Sequence, residues 1–329
     1  MENVKIANLV KKAKKVVGCF KKSAKNTKLL KGLQKQLNIP EHRLIQDEPT
    51  RWNTTFYMLK RLVEQKDALT LMSGKPEVSL PVELTSDDFR TMQTAVEILE
   101  IFETATRQVS KESSSISEII PLINTIAHFL ENLNVAGSGL MGLKNDLVSS
   151  LKRRYPNVEE DSSFAIATIL DPRFKSAPFQ NERALEAAKI KILDEMGRLE
   201  EVLSEPPAED EQSRNENQKN FWSHYSLFTK ASQTVSVPSS ENSTLNELQM
   251  YLSEKLVEHT EDKNAVYTYW KCTHFLKLKK IATKYMCIPP ATVFSERLFS
   301  SAGLICDKKR NRLDPERVKQ LVFLHKNLQ

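Results

Sequence analysis

The chain has 329 residues, of which 40% are hydrophobic and 27% charged, with a formal net charge of +6. That composition belongs to ordinary folded globular proteins and excludes the collagen-like and fully disordered classes. No run approaches the ~20 uninterrupted apolar residues of a membrane-spanning helix. Lysines break the apolar residues of the N-terminus every few positions, so no secretory signal core is expected. The length suggests about two domains.

Charge is unevenly spread. Residues 1–40 hold eleven lysines and one acid, Glu2, and residues 271–329 hold thirteen Lys and Arg against four acids. The stretch 41–270 is acidic, with 37 acids and 24 bases. Two basic ends around an acidic body suit contact with nucleic acid, because cationic side chains displace counterions from phosphates. They suit equally well lysines that only solvate helix faces. Cys19, Cys272, Cys287 and Cys306 are scattered without a CxxC spacing, which reads as free thiols in a reducing compartment. Cys272 and His274 alone fall short of the about four ligands of a zinc site, so no metal is expected.

Only eight glycines occur, and apolar residues recur at steps of three and four, so the chain reads as mostly α-helical. Val4, Ile6, Ala7, Val10, Ala13, Val17 and Phe20 define a helix over about 3–24, and Leu29, Leu30, Leu33 and Leu37 a second over about 27–38, ending before Pro40. "HRLIQDEPT" (42–50) is the best strand candidate, and Asp47 on it reads as a surface charge. Phe56, Leu59, Leu62 and Val63 begin a helical middle. Thr85 or Ser86 caps a long helix through Phe89, Met92, Val96, Leu99, Phe102 and Val109. Further helices are expected over about 116–133 (with Pro121 in its first turn or kinking it), 140–154, a short apolar stretch ending at Asp171-Pro172, and 180–203. Residues 204–220 and 231–245 have the polar, Pro- and Ser-rich composition of disordered loops. Order resumes at 245–256.

The C-terminal unit opens near Val266. Trp270, Phe275, Leu278, Ile281, Ala282 and Tyr285 lie on one helical face, stopped by "CIPP". A helix holding Glu296 follows, with Gly303 expected just past its end. A basic loop, "DKKRNRL", leads to Asp314-Pro315, an N-cap followed by proline at the first helical position. The last helix is expected to bury Val318, Leu321, Val322 and Leu328.

"LKKIATKYMCIPPATVFSERLFSSAGLICDKKRNRLDPERVKQLVFLHKNL" (278–328) resembles the C-terminal dimerisation region of hobo–Activator-type (hAT) transposases and of the BED-finger proteins derived from them. "TRWNTTFYMLKRL" (50–62) is similar to the RW segment of that family, and "ATILDPRFK" (167–175) to its helical middle. The resemblance implies a truncated RNase H-like fold interrupted by a large helical insertion. Residues 1–52 would be a remnant of the RNase H-like part with two helices and one strand, 53–265 the insertion, and 266–329 the dimerisation region.

In the family, three carboxylates hold two divalent cations for strand cleavage. Glu296 matches the third, while the resemblance places both aspartates and the BED finger upstream of the lysine-rich helix. The chain is therefore expected to be no enzyme and to need no cofactor, a divalent metal entering only if a longer product supplies those aspartates. Without that role, Glu296 is expected to pair with a base such as Arg297 or Lys284. The family's base-stacking tryptophan falls on Trp52, beside Arg51, although a packed core-edge tryptophan fits as well. Lys308, Lys309, Arg310 and Arg312 complete the DNA-contact candidates. Phe294, Leu298, Phe299, Val318, Leu321, Val322 and Phe323 are the dimerisation candidates. Expected partners are a second copy, other hAT-type or BED-finger proteins, and DNA, with no membrane and no small-molecule substrate, in the nucleus. The alternative is a part of a longer hAT transposase or BED-finger regulator that contributes to DNA binding and strand cleavage. Loss of the early strands would leave the apolar faces of 3–24 and 27–38 exposed, beside an open strand edge.

Overall fold

Apolar spacing decides where the helices run, and short polar side chains decide where several of them begin. The computed structural model describes residues 4–49, 51–76, 78, 80–135, 140–204, 240–258, 264–305 and 313–328, which contain fourteen α-helices and no strand. α1 (Val4–Lys22) and α2 (Ala24–Gln36) are separated by Ser23, whose hydroxyl accepts the Asn26 amide as an N-cap. α3 (Trp52–Glu64), α4 (Lys66–Ser73) and α5 (Ser86–Val109) follow. α5 starts at a reciprocal cap: Thr85 Oγ1 accepts the Asp88 amide at 3.1 Å and Asp88 accepts the Thr85 amide at 3.0 Å. After a 3-10 turn at Ile116–Glu118 come α6 (Ile119–Asn132), α7 (Met141–Arg154), α8 (Ser162–Leu170) and α9 (Glu182–Ser204). The remaining helices are α10 (Ser240–Ser253), α11 (Ala265–Cys272), α12 (Leu276–Met286), α13 (Val293–Ile305) and α14 (Pro315–Asn327).

The helices gather into two compact units, one formed by residues 1–114, 121–157 and 291–329 and the other by 115–120 and 158–290. These units cut across the linear boundaries at 52/53 and 265/266. In the first, α3 packs on α5 and α1, while α2 packs on α1 and α4. The core draws Ala13, Val16 and Val17 from α1, Leu30 and Leu33 from α2, Phe56 and Leu62 from α3, and Met92 and Ile98 from α5. The apolar faces of the first two helices are thus covered, contrary to the expectation that a missing sheet would expose them.

Among the described residues 42–49 the expected strand is also absent; residues 39–48 run as an irregular strap. Its carbonyls are taken up by side chains rather than by a neighbouring strand. Gln34 Nε2 donates to the His42 carbonyl at 2.8 Å, Arg61 to the Arg43 carbonyl at 2.6 Å, and Gln65 to the Pro40 carbonyl at 3.1 Å.

In the second unit α8 is buried from Ala165 through Leu170 and packs on α9, α12 and the 3-10 turn. Tyr251, Trp270 and Phe275 form a ring cluster, with centroids 5.3 and 5.8 Å from Tyr251. Immediately after α8, Asp171 is 0% exposed and bonds Arg173 at 2.7 Å and Ser117 at 2.7 Å, while Arg173 also reaches Glu118 at 3.0 Å. Burial alone would lower the Arg173 pKa, but the two carboxylates outweigh it and hold the guanidinium firmly charged. Lys175 adopts a left-handed backbone (φ 50°) and its buried ammonium donates to the Tyr251 and Glu254 carbonyls. Burial depresses its pKa.

Four local expectations differ from the structure. The face from Trp270 to Tyr285 is buried but spans two helices, α11 and α12, broken at 273–275. Residues 240–245, expected to be loop, start α10, whereas the rest of the expected loops from 205 onward lies outside the described residues. Gly303 sits inside α13 rather than past its end. On the last helix only Val322 is buried; Val318 is half-buried, and Leu321 and Leu328 are exposed. The Asp314-Pro315 start of α14 is as expected, although the Asp314 side chain makes no capping bond.

Candidate functional site

α13 carries Val293, Phe294, Leu298, Phe299, Ala302, Leu304 and Ile305, yet none of its residues is buried. Its apolar positions spread over about two-thirds of the helix circumference instead of along one narrow stripe, so a single neighbour cannot cover them. That neighbour is α14, on which α13 chiefly packs. Polar contacts tie the pair to the end of α5 and the turn after it: Arg297 donates to the Ser110 carbonyl at 2.8 Å, and Lys326 pairs with Glu112 at 2.8 Å.

Of the dimerisation candidates, Val322 is buried, Phe294 and Val318 are half-buried, and Leu298, Phe299, Leu321 and Phe323 are exposed, Phe299 to 74%. The candidates missed Leu304, Leu324 and Leu328; Leu304 and Leu328 are the most exposed large apolar side chains of the pair, at 80% and 79%. Leu321, Leu324 and Leu328 stand three and four apart, a spacing legible in the sequence.

Glu296 lies exposed in the first turn of α13, its backbone amide bonded to the Thr292 carbonyl at 3.0 Å. Neither expected base pairs with it, since Arg297 turns to Ser110 and Glu112 and Lys284 to Glu195 at 3.0 Å. Among the described residues no group of three or more His, Cys, Asp or Glu converges as a metal site would require.

Arg51 and Trp52 sit at the start of α3, both exposed, Trp52 to 46%. The turn that presents them is fixed from behind by Asp47, which is buried rather than a surface charge. Its carboxylate takes the Thr55 hydroxyl, the Thr54 hydroxyl at 3.3 Å and the Lys14 ammonium at 2.6 Å. Burial pushes the Asp47 pKa up, but these bonds prevail and hold it below the usual carboxylate range. The sequence pattern missed this anchor because its partners come from α1 and α3. Lys308, Lys309, Arg310 and Arg312, like Cys306, lie outside the described residues.

Two family models match. The hAT family C-terminal dimerisation region covers residues 247–328, and the ZBED1 RNase-like helical domain covers residues 4–99. The chain carries a hAT dimerisation region. The match contains the whole α13–α14 pair, and the helical-domain match contains α1–α4, Asp47, Arg51 and Trp52. Human zinc finger BED domain-containing protein 4 is 29% identical over 98% of the chain and 27% of its own length. Human zinc finger BED domain-containing protein 6 is 27% identical over 99% of the chain and 36% of its own length. Zinc finger BED domain-containing protein RICESLEEPER 2 of Oryza sativa subsp. japonica is 25% identical over 87% and 43%, respectively. The chain thus spans less than half the length of each. It is similar to zinc finger BED domain-containing proteins and matches the hAT dimerisation region over residues 247–328. Among the described residues no helix is long and apolar enough to cross a membrane.

Proposed function

We propose that this is a non-catalytic, transposase-derived protein that forms homodimers through α13 and α14 and works beside DNA in the nucleus, joining other hAT-type or BED-finger proteins through the same surface. The observation that carries the proposal is a helix with seven apolar residues and none buried, inside a matched dimerisation region. Full burial of side chains such as Phe299, Leu304 and Phe323 stabilises by about 1.5–3 kcal/mol each, which offsets part of the association cost of about 4–15 kcal/mol. Residues 1–52 as an RNase H-like remnant, 53–265 as the insertion and 266–329 as the dimerisation unit remain part of this proposal, although the helical-domain match at 4–99 runs across the boundary at 52/53.

The absence of catalysis is proposed from Glu296. One exposed carboxylate offers too few oxygens to hold two divalent cations around an in-line phosphoryl transfer. The described residues around it therefore do not fit a resident metal, and no cofactor or small-molecule substrate is assigned. A second reading, a part of a longer hAT transposase or BED-finger regulator, is favoured by the relatives' greater length; there Glu296 and Trp52 would join carboxylates from upstream. Two differently tagged copies, co-expressed and purified through one tag, test the dimer: wild-type copies are expected to co-purify. A triple variant, Phe299→Ser, Leu304→Ser and Phe323→Ser, is expected to lose its partner. Co-purification undiminished in the variant contradicts the proposal.

A further inference from the structure

Six of the eleven lysines of the first forty residues fall into two structurally distinct sets. On one side of α1, Lys5 meets Asp87 at 3.6 Å, Lys12 meets Asp88 at 3.0 Å and Lys14 meets the buried Asp47. These cations are neutralised by α5 and the strap. Lys21, Lys22 and Lys28 have no acidic partner among the described residues, and all three line a half-open groove of about 770 Å³ between α1, α2 and residues 41–46.

Lys31 and Arg43 extend the same lining, and Glu41 is the one acid in it. Glu41 is already shared between Lys31 at 3.3 Å and Lys35 at 3.9 Å. The groove therefore keeps a large uncompensated positive charge. A cleft with apolar walls focuses such a field more than a convex lysine face does, and Val17, Phe20, Leu30 and Leu44 supply those walls. The floor is braced by Gln34, buried and bonded to Gln65 and to the His42 carbonyl, both at 2.8 Å. Ala24, the first residue of α2, also lines it, so the positive end of that helix adds to the field.

We propose that this groove binds the phosphate backbone of DNA. The inference rests on the DNA association proposed above and adds the surface that carries it. The lining places cations on α1, α2 and the strap, as a sugar-phosphate strand lying along the cleft requires. Of the two lining rings, Phe20 is buried and His42 is held by its Nδ1 at 2.9 Å from the Glu64 carboxylate, so the groove presents no free Phe, Tyr or Trp face for base stacking. Binding here is consequently independent of base sequence and strongly salt-dependent.

The test is fluorescence anisotropy of the full chain on a labelled duplex, titrated at several salt concentrations. The variant Lys21→Gln, Lys22→Gln, Lys28→Gln, Arg43→Gln keeps helix-compatible side chains. It is expected to bind at least about tenfold more weakly at low salt and to lower the log–log salt slope by about three to four. A comparison variant removes the same charge from exposed residues that do not line the groove: Lys66→Gln, Arg153→Gln, Lys255→Gln, Lys280→Gln. It is expected to keep the slope close to wild type. Equal losses in both variants overturn the groove as the site and leave net charge as the cause. Binding lost in Arg51→Ala, Trp52→Ala but retained in the groove variant overturns the groove while the DNA association stands. No binding by the wild-type chain overturns both.

Discussion

α12 and α13 follow one another in sequence and have similar lengths, yet α12 buries Leu278, Ile281, Ala282 and Tyr285 while α13 buries nothing. The difference lies in how apolar residues are distributed around each helix. In α12 they form one stripe, with Lys277, Lys279, Lys280 and Lys284 on the other side, so its own chain can cover it. In α13 they spread over about two-thirds of the circumference, and α14 can cover only part. A one-sided helix completes a core; a helix with so broad an apolar surface and one neighbour is left seeking another surface.

That contrast makes the buried face of α12, and the buried ion network beside α8, places where substitutions should cost much stability. Arg173→Ala leaves Asp171 and Glu118 as buried charges without their cation, and a loss of about 3–5 kcal/mol is expected in urea unfolding. Leu278→Ala opens a hole under α12 and is expected to cost about 2–5 kcal/mol, without changing self-association. If Phe299→Ala destabilises the monomer as much as Leu278→Ala does, the distinction between the two helices breaks.

The strap gives an intermediate effect with a definite pH dependence. Asp47 is held below its ordinary pKa, so it contributes stability that is fully present above the ordinary carboxylate pKa of about 4 and is lost as pH falls through the lowered value. Asp47→Asn is expected to cost about 1–3 kcal/mol near neutrality and to flatten the decline of the urea midpoint between about pH 5 and pH 2. An unchanged decline would show that other carboxylates, such as Asp88 with its own lowered pKa, govern the acid limb. The smallest changes are expected at Glu296→Gln and Trp52→Ala, both exposed, with stability within about 0.5 kcal/mol of wild type. A larger loss at Trp52 would mean that it packs rather than waits for a ligand.

Much of the helical pattern was legible before any coordinates, because spacing of three and four and the Thr85 cap are local signals. Non-local facts were not. The strap at 39–48 has the apolar content of a strand, but Gln34, Arg61 and Gln65 come from elsewhere in the chain to occupy its carbonyls. Asp47 looked like a surface charge because Lys14 lies 33 residues upstream. The dimerisation motif was readable as a sequence, whereas the exposure of Leu304 and Leu328 depends on what the chain does not place against them.

The most direct test of the central claim is the solution mass by light scattering, for the full chain and for Phe299→Ser, Leu304→Ser, Phe323→Ser. The account predicts twice the 37.6 kDa chain mass for the wild type and the single-chain mass for the variant, with unchanged helical circular dichroism. A wild-type monomer, or a variant that remains dimeric, would contradict it.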